Sequence, residues 1–379
     1  MKWSRTKPFL TPEQRQADPL PMWVADMDFR VAQPILDALR EEVEFGIFGY
    51  GEIPASCVEA VVDWQIRRFG WHPKPEWVVQ TPGVVSALST AIQAFTRPGD
   101  FVLVQTPVYF HIHHDVVVNG RRVAHAPLVL QGDRYQFDAE AFEAAIKPGT
   151  KLFILCNPHN PTGNVFSQQD LAAMAAICER QGILVLSDEI HEDLVLDPAK
   201  PHIPFAMVSE AAADNVVVCT APSKTFNVAG LQLANIFIPN VRRRAEFRAQ
   251  CERNGSIVTN TMGVAACEAA YRHCEPWADA MLDYVRANRL HFLSRIQELD
   301  LPIRVVSADA LYLAWIDFRD LKKPTEDLQD FLLREARLWL DPGTKFGPGG
   351  DGFMRINLAC PRGLIGKAIE RLVMALRRQ

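Results

Sequence analysis

The sequence predicts an α/β protein with a mainly parallel mixed sheet, joined to a smaller α+β unit built from both chain ends. Two observations carry this. Through the middle of the chain, over about 200 residues, short apolar runs alternate with amphipathic segments, the signature of strand–helix units. Towards both ends that alternation gives way to long helices and isolated short strands.

In chain order, the apolar runs at 78–79, 101–104, 123–126, 152–155, 183–186, 216–219 and 235–238 read as strands. Between them, 84–95 and 170–181 read as helices because apolar residues recur three and four apart, and Ser167 or Asp170 can cap the second. Residues 1–45 are Pro-rich and then helical over 33–45. Beyond about residue 270 come a long helix (276–299), strands at 303–306 and 311–316, a helix near 325–335, a strand at 353–357 and a final amphipathic helix. The expected division is a large domain over 46–270 and a small domain from 1–45 with 271–379. Ligands in open α/β sheets bind at the carboxyl ends of the strands, so the cleft facing the small domain is the expected site.

A chain of 379 residues has room for two domains and for a core that needs no disulfide or metal staple. Its formal net charge of −5 gives no electrostatic reason to expect nucleic acid or an anionic membrane as partner. The eight cysteines form no CxxC pair, and Cys156 and Cys219 lie inside apolar runs, which favours buried thiols in a reducing compartment. No stretch approaches the length of a membrane span, and the first residues lack an apolar signal-peptide core. A cytoplasmic protein is expected.

The chemistry-bearing residues fall at strand ends. Lys224 follows the run 216–219, and Asp188 closes the run 183–186 and Ser187. A lysine and an aspartate so placed can meet across a small planar cofactor. The pair suits pyridoxal phosphate, the lysine forming an imine and the aspartate facing the pyridine nitrogen. Gly83 opens a helix after the first strand, where free amides and the helix dipole can cradle a phosphate. Tyr109 places an aromatic after the second strand, and Asn157-Pro-His-Asn160-Pro-Thr-Gly163 makes a rigid loop after the fourth. Arg355 sits in an otherwise apolar strand, where it needs a buried partner: an internal acid or the α-carboxylate of a substrate.

Taken in order and at these intervals, Asn-Pro-x-Asn-Pro-Thr-Gly, Ser-Asp-Glu-Ile and Ser-Lys-Thr resemble the fold-type I pyridoxal phosphate enzymes of the aminotransferase superfamily along nearly the whole chain. The resemblance implies that family's three-layer transferase-like large domain. It also implies roles: Lys224 as the imine-forming lysine, Asp188 on the ring nitrogen, Tyr109 stacked on the ring, and Asn160 on its oxygen. Gly83, Val84, Val85 and Ser223 would hold the phosphate, and Arg355, with Asn160, the substrate carboxylate. Two departures narrow the match. His191 replaces the tyrosine often found three residues after the aspartate, and joins the cofactor-binding set. Gln232 stands where an arginine often holds the phosphate. With Met22-Trp-Val-Ala-Asp-Met-Asp-Phe29, these are similar to the cystathionine β-lyase (MalY/PatB-type C–S lyase) branch. There a tyrosine of the partner subunit reaches the phosphate, and Tyr50 matches it, touching cofactor and substrate in a homodimer with shared active sites. The implied reaction is α,β-elimination of L-cystathionine or a related cysteine S-conjugate to a thiol, pyruvate and ammonia. An aminotransferase on the same fold is the alternative, and a catalytically idle regulatory module the second.

Two further features read blandly. His111, His113 and His114 form a strand-and-loop group with no acid or thiol at ligand spacing, so no metal site is expected. Gly347-Pro-Gly-Gly-Asp-Gly352 lacks the Lys-Ser/Thr of a P-loop and reads as a mobile loop before the Arg355 strand.

Overall fold

Along each central strand successive apolar side chains point to opposite faces, so one sheet feeds two cores. In the computed structural model, which describes the chain except residues 1, 5, 6, 257–259 and 379, the main sheet has seven strands. They are β1 (Val78–Thr81), β2 (Phe101–Thr106), β3 (Arg122–Pro127), β4 (Thr150–Cys156), β5 (Leu184–Asp188), β6 (Val216–Thr220) and β7 (Ala234–Phe237). Their order is β1-β7-β6-β5-β4-β2-β3, and only β7 runs antiparallel to its neighbours. All seven expected strands are present, in the mixed, mainly parallel sheet that the alternation predicts.

The first part of the chain supplies helices α1 (Gln33–Phe45), α2 (Ala55–Phe69), α3 (Val84–Phe95) and α4 (Phe110–Val118). The later part supplies α5 (Gln168–Arg180), α6 (Val241–Arg253), α7 (Thr261–His273) and α8 (Glu275–Glu298). Leu152 and Ile154 of β4 pack with Leu88 of α3, Ile112 of α4 and Phe247 of α6, while Phe153 and Leu155 pack on the other face with Trp64 of α2, Met174 of α5 and Tyr271 of α7. Two helical layers therefore sandwich the sheet. Helix α5 starts at a reciprocal cap, Ser167 accepting from the Asp170 amide and Asp170 from the Ser167 amide, an arrangement worth about 1 kcal/mol.

A second, antiparallel sheet has the order β8-β9-β11-β10, from β8 (Arg304–Val305), β9 (Leu313–Asp317), β10 (Asp341–Pro342) and β11 (Phe353–Asn357). Its own apolar cluster includes Phe292 of α8, Leu328 and Phe331 of α9 (Thr325–Arg334), and Ile365 and Leu372 of α10 (Arg362–Leu376). Met22 near the amino end joins that cluster, whereas Ile35 of α1 packs into the core under the main sheet. Among the described residues no helix is long and apolar enough to cross a membrane.

One local expectation fails. The three histidines lie on helix α4, not on a strand and loop. Ile112 and Val116, four apart and both fully buried, set its inner face, and their packing overrides the poor helix propensity of Val116-Val-Val118.

Candidate active site

Strands β1, β2, β4, β5 and β6 all end on one edge of the sheet, and a cavity of ≈ 300 Å³ opens there. Its lining gathers Gly83, Val84, Val85, Tyr109, Asn160, Asp188, His191, Ser223, Lys224 and Arg355. Of the residues expected from sequence, only Tyr50 is elsewhere: it is 96% exposed and outside the cavity.

Asp188 ends β5 opposite Cys219 of the adjoining β6, and Lys224 follows β6 on the single-turn helix Pro222–Thr225. Neighbouring strands thus bring the acid and the amine to one side of the cavity. The Asp188 carboxylate accepts the Ile190 amide at 3.3 Å, yet burial pushes its pKa up to about 7. Nothing among the chain's own groups fully offsets that burial, which leaves the acid suited to a cationic ring nitrogen. Burial, opposed by Asp26 and reinforced by Arg355, holds the Lys224 amine below its ordinary value. Its Nζ donates to the Ala25 carbonyl at 3.1 Å, which also accepts from the buried Tyr312 hydroxyl at 2.9 Å.

At the start of α3, Gly83 has φ 100° and no side chain caps the helix. A Cβ on Gly83 would meet nothing within 4 Å, so the ground in front of the first free amides is open. That open cradle, together with the buried Nδ1 of His191, which has no partner among the described residues, fits an anionic, polar cofactor such as pyridoxal phosphate. Gln232 stands in the left-handed region at φ 50° and lines the same cavity. Burial pushes the Tyr109 phenol up to about 12, so its ring stays neutral beside the cavity. Burial and the charges of Lys224 and Arg355 hold His191 well below its ordinary value.

Of the two partners that an arginine in an apolar strand can find, Arg355 has the internal acid. Directly across the antiparallel ladder stands Asp341, whose Oδ2 accepts from Nη2 at 2.6 Å. Nη1 donates to Asn160 Oδ1 at 2.9 Å and Nη2 to the Trp23 carbonyl at 3.1 Å, while the buried Nε has no partner among the described residues. The internal ion pair therefore exists, and the guanidinium still lines the cavity with donor capacity left. Sequence reasoning missed Asp341; the signal was an acid closing the apolar run Leu338-Trp339-Leu340.

Asn227 and Asn357 complete the cavity wall by holding the segment 24–29. Asn357 Nδ2 donates to the Val24 and Asp26 carbonyls, both at 2.7 Å. Asn227 accepts from the Met27 amide at 3.0 Å and donates to the Met27 and Phe29 carbonyls at 3.1 and 3.0 Å. Below the site, Glu189, Glu192 and His202 bring ligating atoms within 4.8 Å of one another. Glu189 is already engaged by Ser187, His202 and the Phe205 amide, so it braces the turn after Asp188.

Fold and site define the class. The model of the aminotransferase class I and II family matches residues 26–372, and the chain belongs to that family. Over 378 residues it is 43% identical to cystathionine beta-lyase PatB of Bacillus subtilis (strain 168), covering 99% of this chain and 96% of that protein. It is 32% identical to protein MalY of Escherichia coli (strain K12), across 95% of this chain and 92% of that protein. The crystal structure of cystalysin from Treponema denticola, which contains a pyridoxal 5'-phosphate cofactor, superposes with a TM-score of 0.94 at 31% identity, covering 100% and 98% of the two chains.

Proposed function

We propose that the protein is a pyridoxal phosphate-dependent C–S β-lyase that cleaves L-cystathionine or a related cysteine S-conjugate to a thiol, pyruvate and ammonia. The observation that carries this reading is the convergence of Lys224, Asp188 and Arg355 on one cavity. The cystathionine β-lyase names of the relatives support the reaction type.

When bound, the cofactor supplies an electron-withdrawing ring that stores the negative charge left at the substrate Cα. Lys224 would be the amine that links it to the chain. Asp188 would hold the proton on the ring nitrogen, Tyr109 would face the ring, and Asn160 and His191 would address its polar edge. Gly83, Val84, Val85 and Ser223 would receive the phosphate. Arg355, with Asn160, grips the α-carboxylate and fixes the Cα–H bond towards Lys224. Lys224 Nζ, its basicity lowered by burial, takes the Cα proton. The thiolate departs from Cβ with the C–S bonding pair, and hydrolysis of the remaining enamine gives pyruvate and ammonia.

The phosphate end has no arginine at Gln232, and Tyr50 is exposed beside Phe45, Ile47 and Phe48, each more than 60% exposed. We read this apolar run as a homodimer contact that delivers Tyr50 to the partner's phosphate and substrate. The chain divides into a cofactor-binding unit, 46–270, and a second unit, 1–45 with 271–379, α1 leaning across the divide. Eight free, buried cysteines support a cytoplasmic location.

Incubation with L-cystathionine and no keto acid is expected to release pyruvate and thiol in equal amounts. Lys224→Ala should abolish turnover and the borohydride-reducible cofactor linkage. Amino transfer that depends on an added keto acid, with no thiol release, would replace this reading by a transaminase.

A further inference from the structure

The histidine group and the glycine loop, each without a role in the sequence, meet in the fold. His113 of α4 places Nε2 3.2 Å from the Phe346 carbonyl oxygen. That oxygen also accepts the amide of Val108, the residue before Tyr109, at 2.9 Å. The imidazole takes the room a side chain would need on the next residue: Gly347 has φ 82°, and a Cβ there would lie 2.7 Å from His113 Nε2. The loop itself is closed, not loose. Gly343 and Gly350 approach so nearly that a Cβ on Gly343 would fall 1.9 Å from the Gly350 oxygen. Gly350 and Phe353 amides bond back to Gly347 and Gly350, and the Gly352 amide to Thr325 Oγ1. The expectation of a mobile loop gives way to a braced one, held to the main sheet side at Phe346.

Phe346 is 1% exposed, and its ring centroid lies 4.8 Å from the Arg355 guanidinium carbon. The same ring meets Trp315 edge-on at 5.1 Å. An aromatic face against a guanidinium fixes the plane in which the N–H donors point. Burial holds His113 below its ordinary pKa, so the ring is neutral, and the Phe346 carbonyl selects the tautomer with the proton on Nε2. The hydrogen bond runs from His113 to the backbone of the residue that covers Arg355.

We propose that His113 is a positioning residue for α-carboxylate recognition: by anchoring the Phe346 carbonyl it holds the Phe346 ring on Arg355, and with it the guanidinium edge offered to the substrate. The proposal rests on the reading of Arg355 as the carboxylate clamp.

The test compares holoenzyme turnover of S-ethyl-L-cysteine and of its carboxamide. His113→Ala is expected to raise KM for the acid about fivefold, the weight of one hydrogen bond, with kcat within about twofold. Turnover of the amide should not change, so the preference for the acid falls by the same factor. His113→Leu, which fills the volume without a donor, should behave alike, and His113→Gln, which can reach the carbonyl with its amide N–H, should restore the preference. Arg355→Gln in the same assay examines the clamp separately: if the acid preference survives it, the clamp reading fails. If that preference collapses in Arg355→Gln but persists in both donor-free His113 variants, whether or not they melt earlier, the positioning role is overturned.

Discussion

Asp188 keeps its proton up to about pH 7 in the folded, cofactor-free protein, against an ordinary value of 3.8. Between those values the folded chain binds more protons than the unfolded one, so stability falls as pH rises. The contribution of this group is complete below 3.8 and lost as pH passes about 7. Asp188→Asn keeps the shape and removes the titration. Thermal midpoints of the cofactor-free proteins, taken across that window, should show wild type losing ground to the variant as pH increases; a constant difference would mean that Asp188 is already compensated. Adding pyridoxal phosphate should reverse the order, because only the aspartate can pair with the cationic ring nitrogen. Both halves of the measurement follow from one fact: burial of this carboxylate outweighs the Ile190 amide and the Lys224 charge that oppose it.

The segment 24–29 shows how elements far apart in sequence make one wall. Asn227 holds it from the Lys224 turn and Asn357 from the Arg355 strand, so the two sides of the cavity share one strap. Asn227→Ala would strand the Met27 amide and two carbonyls and would place alanine at φ 59°. A loss of about 2–4 kcal/mol in urea unfolding is expected from those terms together. Hydrogen exchange at Met27 should accelerate while exchange in β4 is unchanged at matched stability; an unaffected Met27 amide would show that the strap is held by other means. Little of this was legible in the sequence. The central strands were, because burial on both faces leaves continuous apolar runs such as Leu152–Leu155, and the residues at their ends were, because parallel strands finish on one edge. Partners set by tertiary register were not: Asp341 finds Arg355 only after a glycine loop folds the intervening residues back. Helix α4 was hidden for a related reason, since its β-branched end favours a strand until Ile112 and Val116 have a core to meet.

At the scale of the whole molecule Tyr50 stands in solvent, outside the cavity of its own chain. A large aromatic run from Phe45 to Tyr50 is costly to leave in water, and a symmetric contact would cover the same run on both chains at once. If each cavity takes Tyr50 from its partner, defects in Lys224 and Tyr50 must complement when carried on different chains. Lys224→Ala homodimers lack the amine in both sites, and Tyr50→Phe homodimers lack the phosphate contact in both. A hybrid of the two variants concentrates both defects in one site and leaves the other wild type. Random reassortment of equal amounts should therefore recover about a quarter of wild-type turnover, half the dimers being hybrids with one sound site each. Were Tyr50 to serve its own chain, every hybrid site would carry one defect and mixing would restore nothing beyond the residual turnover of Tyr50→Phe.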